Sequence, residues 1–105
     1  MLYVSIDHIP GKTFEALGIV KGTIVTSKHL GRDLAAGFKT LVGGELRGYT
    51  EMLNEARAIA TKRMVEEAEA MGADAIVGMR YSSSTVMSGA AEVIAYGTAV
   101  RYTDG

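Results

Sequence analysis

The segment from Tyr49 to Met71 constrains the fold most. It contains no glycine or proline and is rich in Ala, Glu, Met, Leu, Arg and Lys, residues that lose little on entering a helix. Leu53, Ala56, Ala60, Met64, Ala68 and Met71 recur on one apolar stripe, which Met52 and Ile59 widen. Thr50 is the expected N-cap, with Glu51 near the positive end of the helix dipole. Gly72 is placed to end the helix in a left-handed conformation. At 1.5 Å per residue the helix is about 34 Å long. A chain of 105 residues has room for one domain, so residues 1–105 are read as a single unit. A helix this long must then lie across a whole sheet.

The strands to receive it are readable on both sides. Met1 to Ile6 is short and apolar and is expected at a sheet edge. The run DHIPGK breaks it, with Pro10-Gly11 as a turn signal. Phe14 to Thr26 is dense in β-branched residues and reads as a strand. Gly18 and Gly22 interrupt it, which suggests a bulge or the close approach of another backbone. Leu30, Leu34, Phe38 and Leu41 predict a short helix from Arg32 to Val42, stopped by Gly43-Gly44.

After the long helix, Ala75, Val77, Met79 and Tyr81 are expected to share one face of a strand. Ile76, Gly78, Arg80 and Ser82 are expected on the other. SSSTVMSGAA reads as a hairpin connection with frayed strand ends, and Ser82-Ser83-Ser84 as a flexible linker. EVIAYGTAVRY then alternates. Ile94, Tyr96, Thr98, Val100 and Tyr102 form a bulky face, and Val93, Ala95, Gly97, Ala99 and Arg101 a thin one. The thin face suits close packing by the alanine-rich helix. Few residues are left to cover the bulky face, so a partner chain is expected there.

Composition narrows the function classes. The chain has no cysteine, which removes disulfides, thiolate metal sites, iron–sulfur clusters and cysteine nucleophiles together. The formal net charge is −1, so neither nucleic acid nor an anionic membrane is an expected partner. The N-terminal residues lack a basic region and a long apolar run, so no signal peptide is expected and the setting is read as cytoplasmic. No GxGxxG fingerprint, GxxxxGK[ST] loop or GxSxG elbow occurs.

The candidate chemistry is sparse. His29 and Asp33 stand four residues apart, and with His8 and Glu45 they are the candidate metal ligands. Arg32-Asp33, Glu45, Arg47 and Tyr49 flank the predicted helix starts, where the arginines could hold an anion or Arg32, Glu45 and Arg47 could form ion pairs between subunits. Lys62 with Glu66 and Arg63 with Glu67 are expected surface pairs. Arg80 stands mid-strand, where a charge needs a partner if buried, and Glu92 on the facing strand is the candidate. Arg32, Asp33, Glu45 and Arg80 are therefore the candidate ligand-binding residues. No catalytic residue is assigned, and the metal ligands are left open.

Several of these residues also carry a resemblance. Gly31-Arg32-Asp33, Gly43-Gly44-Glu45, Tyr49-Thr50, Ala56-Arg57, Arg63-Met64, Gly72-Ala73-Asp74-Ala75, Gly78-Met79-Arg80 and Ala95-Tyr96-Gly97-Thr98-Ala99-Val100 make the chain similar to the YbjQ family. These are small uncharacterised proteins often labelled heavy-metal-binding. The resemblance implies an α+β fold of the dodecin-like type, a small antiparallel sheet packed by one long helix plus a short helix. It also implies an oligomeric ring, a homo-pentamer. The chain lacks the cysteine pairs that soft-metal domains use. The expected function is that of a non-catalytic homo-oligomer binding a small ligand or ion at subunit interfaces, without a cofactor. One alternative is a metal-binding protein with His, Asp and Glu ligands. Another is an enzyme with an interface pocket around Glu45 and Arg80.

Overall fold

A computed structural model describes residues 1–27, 42–87 and 90–103, with the side chains of 42–47 and 49 outside the description. The elements, in chain order, are β1 (Leu2–Tyr3), β2 (Thr13–Ser27), α1 (Val42–Ala70), β3 (Ala75–Met87) and β4 (Ala90–Thr103). They form one α+β layer pair, a four-stranded sheet of order β1-β3-β4-β2 with a helix on one face. The expected antiparallel sheet is in fact mixed. β2 and β3 each pair antiparallel with β4, but β1 runs parallel to β3, Leu2 opposite Ala75 and Tyr3 opposite Ile76.

α1 buries the stripe the sequence marks. Ala56, Ala60, Met64 and Ala68 are buried, and Leu53 packs at the margin. Their counterparts on the sheet are Val20, Ile76, Met79, Val93, Ala95 and Ala99. The thin face of β4 therefore does take the helix. Small residues on both sides bring the two backbones close, and Gly22 of β2 is the extreme case. A Cβ there would collide with the Ala60 carbonyl oxygen and the Met64 amide, and would lie 2.8 Å from Arg63 Cβ. Gly18 has φ +147° and marks a register shift in the β2–β4 ladder between Ala16 and Gly18. The two interrupting glycines thus divide the two expected roles, bulge and close approach.

The helix ends as expected and begins earlier than expected. Gly72 has φ +77°, and its amide bonds to the Glu69 carbonyl at 3.0 Å while the Ala73 amide bonds to Ala68 at 3.0 Å. This is the paired closure of a left-handed C-cap. At the other end the helix already includes Val42, so Gly43-Gly44 does not stop it and Thr50 lies inside it rather than capping it. Each glycine weakens a helix by about 1 kcal/mol, which does not by itself end one, whereas at Gly72 the chain turns left-handed. The predicted short helix from Arg32 falls, up to residue 41, outside the described residues.

β3 departs from simple alternation. Val77 pairs with Thr98 and Arg80 with Tyr96, so Gly78 and Met79 together oppose Gly97. Gly78 has φ +62°. This bulge switches the faces halfway along the strand. Ala75 and Val77 lie on the face away from α1, packed with Ile9 and Val100, whereas Ile76 and Met79 belong to the core under the helix. The expected shared face of Ala75, Val77, Met79 and Tyr81 is corrected accordingly. Ser82, Ser83 and Ser84 are also not a linker. They pair with Ile94, Val93 and Glu92, and the ladder runs out to Met87 opposite Ala90. Backbone pairing on β4 holds small polar residues in a strand that their composition alone does not favour.

Long strands make an elongated molecule, 59 Å in its greatest dimension. The face away from α1 is covered at one end only. There Val4 and Ile9 of the N-terminal segment pack with Ala75, Val77, Phe14, Val100 and Tyr102. Farther along, Ile19, Val25 and Tyr96 are exposed, Ile19 by 78%.

Candidate functional site

The N-terminal segment that covers the second face also shapes a recess. After β1 the chain continues alongside β3. Val4 donates to the Ile76 carbonyl at 2.9 Å, and the Met79 amide donates to Val4 at 3.0 Å. The Gly78 amide donates to Ile6 at 2.8 Å. The bulge thus has its backbone donors met by this hook rather than by a neighbouring strand. Between hook and bulge lies an open recess of about 640 Å³, lined by Ser5, Ile6, Asp7, His8, Gly78 and Arg80.

Arg80 is the fixed charge of the recess. Its Nη1 donates to the Ser5 carbonyl at 2.7 Å and to the Met79 carbonyl at 3.0 Å. Two backbone segments therefore hold one corner of the guanidinium. No carboxylate lies within ion-pair distance of it among the described residues. The expected pairing with Glu92 is corrected by the register, which puts Glu92 opposite Ser84 and Tyr96 opposite Arg80. Arg80 is also exposed rather than buried, so it does not require a counter-charge to be tolerated. His8 supplies an imidazole beside the same recess. Its Nδ1 lies 3.2 Å from Asp7 Oδ1, both side chains being largely in solvent.

Of the residues singled out from sequence, the structure brings together His8 and Arg80. Arg32, Asp33 and His29 lie outside the described residues. Glu45 is placed on α1, with its side chain outside the description. Ser5 and Gly78 join the site only through the fold. Gly78 carried a signal, since a glycine inside a strand pattern marks a bulge; Ser5 carried none.

A second concavity, about 620 Å³, runs along the β3 flank of α1 and is lined in part by Tyr3, Asn54, Thr61, Lys62, Glu66 and Tyr81. Thr61 is nearly buried; its hydroxyl donates to the Arg57 carbonyl at 2.7 Å and lies 2.7 Å from the Tyr81 hydroxyl. On the opposite flank, Arg63 donates to the Thr23 carbonyl at 2.6 Å and Glu67 Oε1 accepts from the Lys21 amide at 3.3 Å. These two residues tie the helix to the outer edge of β2. Neither expected helix-surface ion pair, Lys62–Glu66 or Arg63–Glu67, is formed among the described residues; Arg63 and Glu67 take backbone partners on the strand edge instead.

A heavy-metal site can be tested on the donors present. Among the described residues no three His, Cys, Asp or Glu side chains gather as a metal group. His8 and Asp7 supply at most two adjacent ligands, and the chain has no cysteine. This donor set does not fit a soft metal.

Comparison with known proteins places the chain. It is 63% identical over 102 residues to a UPF0145 protein of Thermotoga maritima, covering 96% of each. It is 55% identical over 105 residues to a UPF0145 protein of Vibrio parahaemolyticus, covering 99% of this chain and 100% of the other. A solved structure from Pediococcus pentosaceus, described as a protein of unknown function of the DUF74 family, matches with a TM-score of 0.65 at 15% identity over 98% of both chains. That likeness concerns the fold alone. Residues 1–103 match the family model YbjQ_1, described as "Putative heavy-metal-binding", and the chain belongs to this family.

Proposed function

We propose that this protein is a non-catalytic homo-oligomer, acting as a single domain over residues 1–105, that binds a small ligand or ion. The observation that carries the oligomer is the second face of the sheet. One end is closed by the protein's own N-terminal segment, while Ile19, Val25 and Tyr96 stand exposed farther along. Exposed apolar residues on one sheet face, here interspersed with Lys21 and Thr23, favour burial against another chain. A dodecin-like ring, with five copies as the working number, is the assembly this reading adopts. No described helix is long and apolar enough to cross a membrane; a cytoplasmic setting is part of the same proposal.

Native mass spectrometry of untagged protein tests it, with Ile19→Lys and Val25→Lys alongside. A closed ring mass for the wild type, reduced to monomer by either lysine, is the expected result. A monomeric wild type overturns the oligomer. Turnover by the purified, metal-free protein overturns the non-catalytic reading.

The family description supports a second reading, metal binding through His8, His29, Asp33 or Glu45. His8→Gln with His29→Gln tests it. Unchanged metal content in the double variant rejects histidine ligation.

A further inference from the structure

The ligand class follows from how Arg80 is presented. We infer that the recess between the N-terminal hook and the β3 bulge is a binding site for a small oxyanion, a carboxylate or phosphate group, anchored by Arg80. The inference rests on the ligand-binding reading above and does not depend on the oligomer.

Three independent features support it. The first is aim. Without the bulge at Gly78, Arg80 would follow Ile76 onto the helix face; the extra residue turns it to the opposite face, beside the hook. Bulges are a recurring device for redirecting a side chain. The second is pre-organisation. Nη1 is occupied by the Ser5 and Met79 carbonyls. Nε and Nη2 make no hydrogen bond among the described residues. A guanidinium held at one corner offers its remaining edge as a two-pronged donor, the geometry that matches carboxylate and phosphate oxygens. The third is room. A Cβ at Gly78 would meet nothing within 4 Å, so the floor of the recess is open beside the arginine. Ser5 and His8 also line it. Asp7 is the opposing charge, but its carboxylate stands almost wholly in solvent, where water and salt screen it.

The test is a titration of ¹⁵N-labelled protein with sodium phosphate and, separately, sodium acetate. Chloride holds the ionic strength constant. Saturable shifts at Ser5, His8, Gly78 and the Arg80 side-chain Nε–H are expected. Response to phosphate alone assigns a phosphate-bearing ligand, and response to acetate alone a carboxylate; both are forms of the same site. Arg80→Gln is expected to weaken binding by about 10-fold or more, the range for losing charge-assisted hydrogen bonds, with the native mass unchanged. Arg80→Lys keeps the charge without the fork and should bind more weakly than wild type. It decides the matter if Arg80→Gln does not fold. No saturable response in the wild type, or equal affinity in the arginine variant tested, overturns the site. An intact ring with no anion response would separate failure of this inference from failure of the oligomer.

Discussion

Gly22 of β2 lies directly under the backbone of Ala60 in α1, with no room between them for a side chain. The helix therefore rests on the strand at main-chain distance, and Val20, Met64 and Ala60 close around the contact. A single methyl group at Gly22 must push the helix away or bend the strand. Gly22→Ala is expected to cost about 3 kcal/mol, the upper part of the range for overpacking a core. Urea unfolding followed by circular dichroism measures it. A change below about 0.5 kcal/mol would show that the helix can shift freely.

Gly78 is constrained for a different reason. A Cβ there meets no atom, but φ is +62°. The cost of Gly78→Ala is therefore conformational, about 1–2 kcal/mol. Asparagine tolerates the left-handed region better than alanine, so Gly78→Asn is expected to be the milder of the two. The reverse order in melting temperature would mean that space, not backbone conformation, limits the position.

Arg63 and Glu67 meet backbone groups on the outer edge of β2. Native proteins protect such edges against pairing with other chains. Glu67→Ala should leave global stability within about 1 kcal/mol but speed hydrogen exchange at the Lys21 amide. Unchanged exchange at Lys21 would remove the carboxylate from this role.

The Thr61 hydroxyl gives its proton to the Arg57 carbonyl, so the Tyr81 hydroxyl is the donor between the two. Tyr81→Phe leaves Thr61 paired with Arg57 and is expected to cost about 0.5–1 kcal/mol. A double-mutant cycle with Thr61→Val should return a coupling of similar size. Zero coupling would show that the two hydroxyls do not depend on one another.

Chelation separates the two readings of metal. With no described three-ligand group, EDTA treatment followed by desalting is expected to leave the melting temperature and the native mass unchanged. A loss of several degrees, restored by one metal ion, would instead require ligands from the residues not described or from a second copy of the chain.

Much of the fold is legible because it depends on local periodicity. The helical stripe from Leu53 to Ala68, the cap at Gly72 and the thin face of β4 follow from which residues recur at which spacing. Gly18 and Gly22 are legible as exceptions, each within a β-branched run. Other features are not legible in local spacing alone. Gly43-Gly44 resembles a stop until the helix is seen to continue through it. Ser82 to Ser84 resembles a linker until β4 pairs with it. Of the candidate site, Arg80 and His8 are visible as isolated residues, but nothing local joins them.

The sequence by itself determined where the long helix buries its alanine and methionine stripe, where it ends, and that thiol chemistry is absent. These depend on side-chain type and on spacing within one segment. Only the tertiary structure decided the parallel placement of β1, the face on which Arg80 stands, and its meeting with His8. Those depend on one extra residue at Gly78 and on backbone hydrogen bonds between Val4–Ile6 and Ile76–Met79. A one-residue change in register moves every later side chain to the opposite face, and that register is settled by pairing between segments some seventy residues apart.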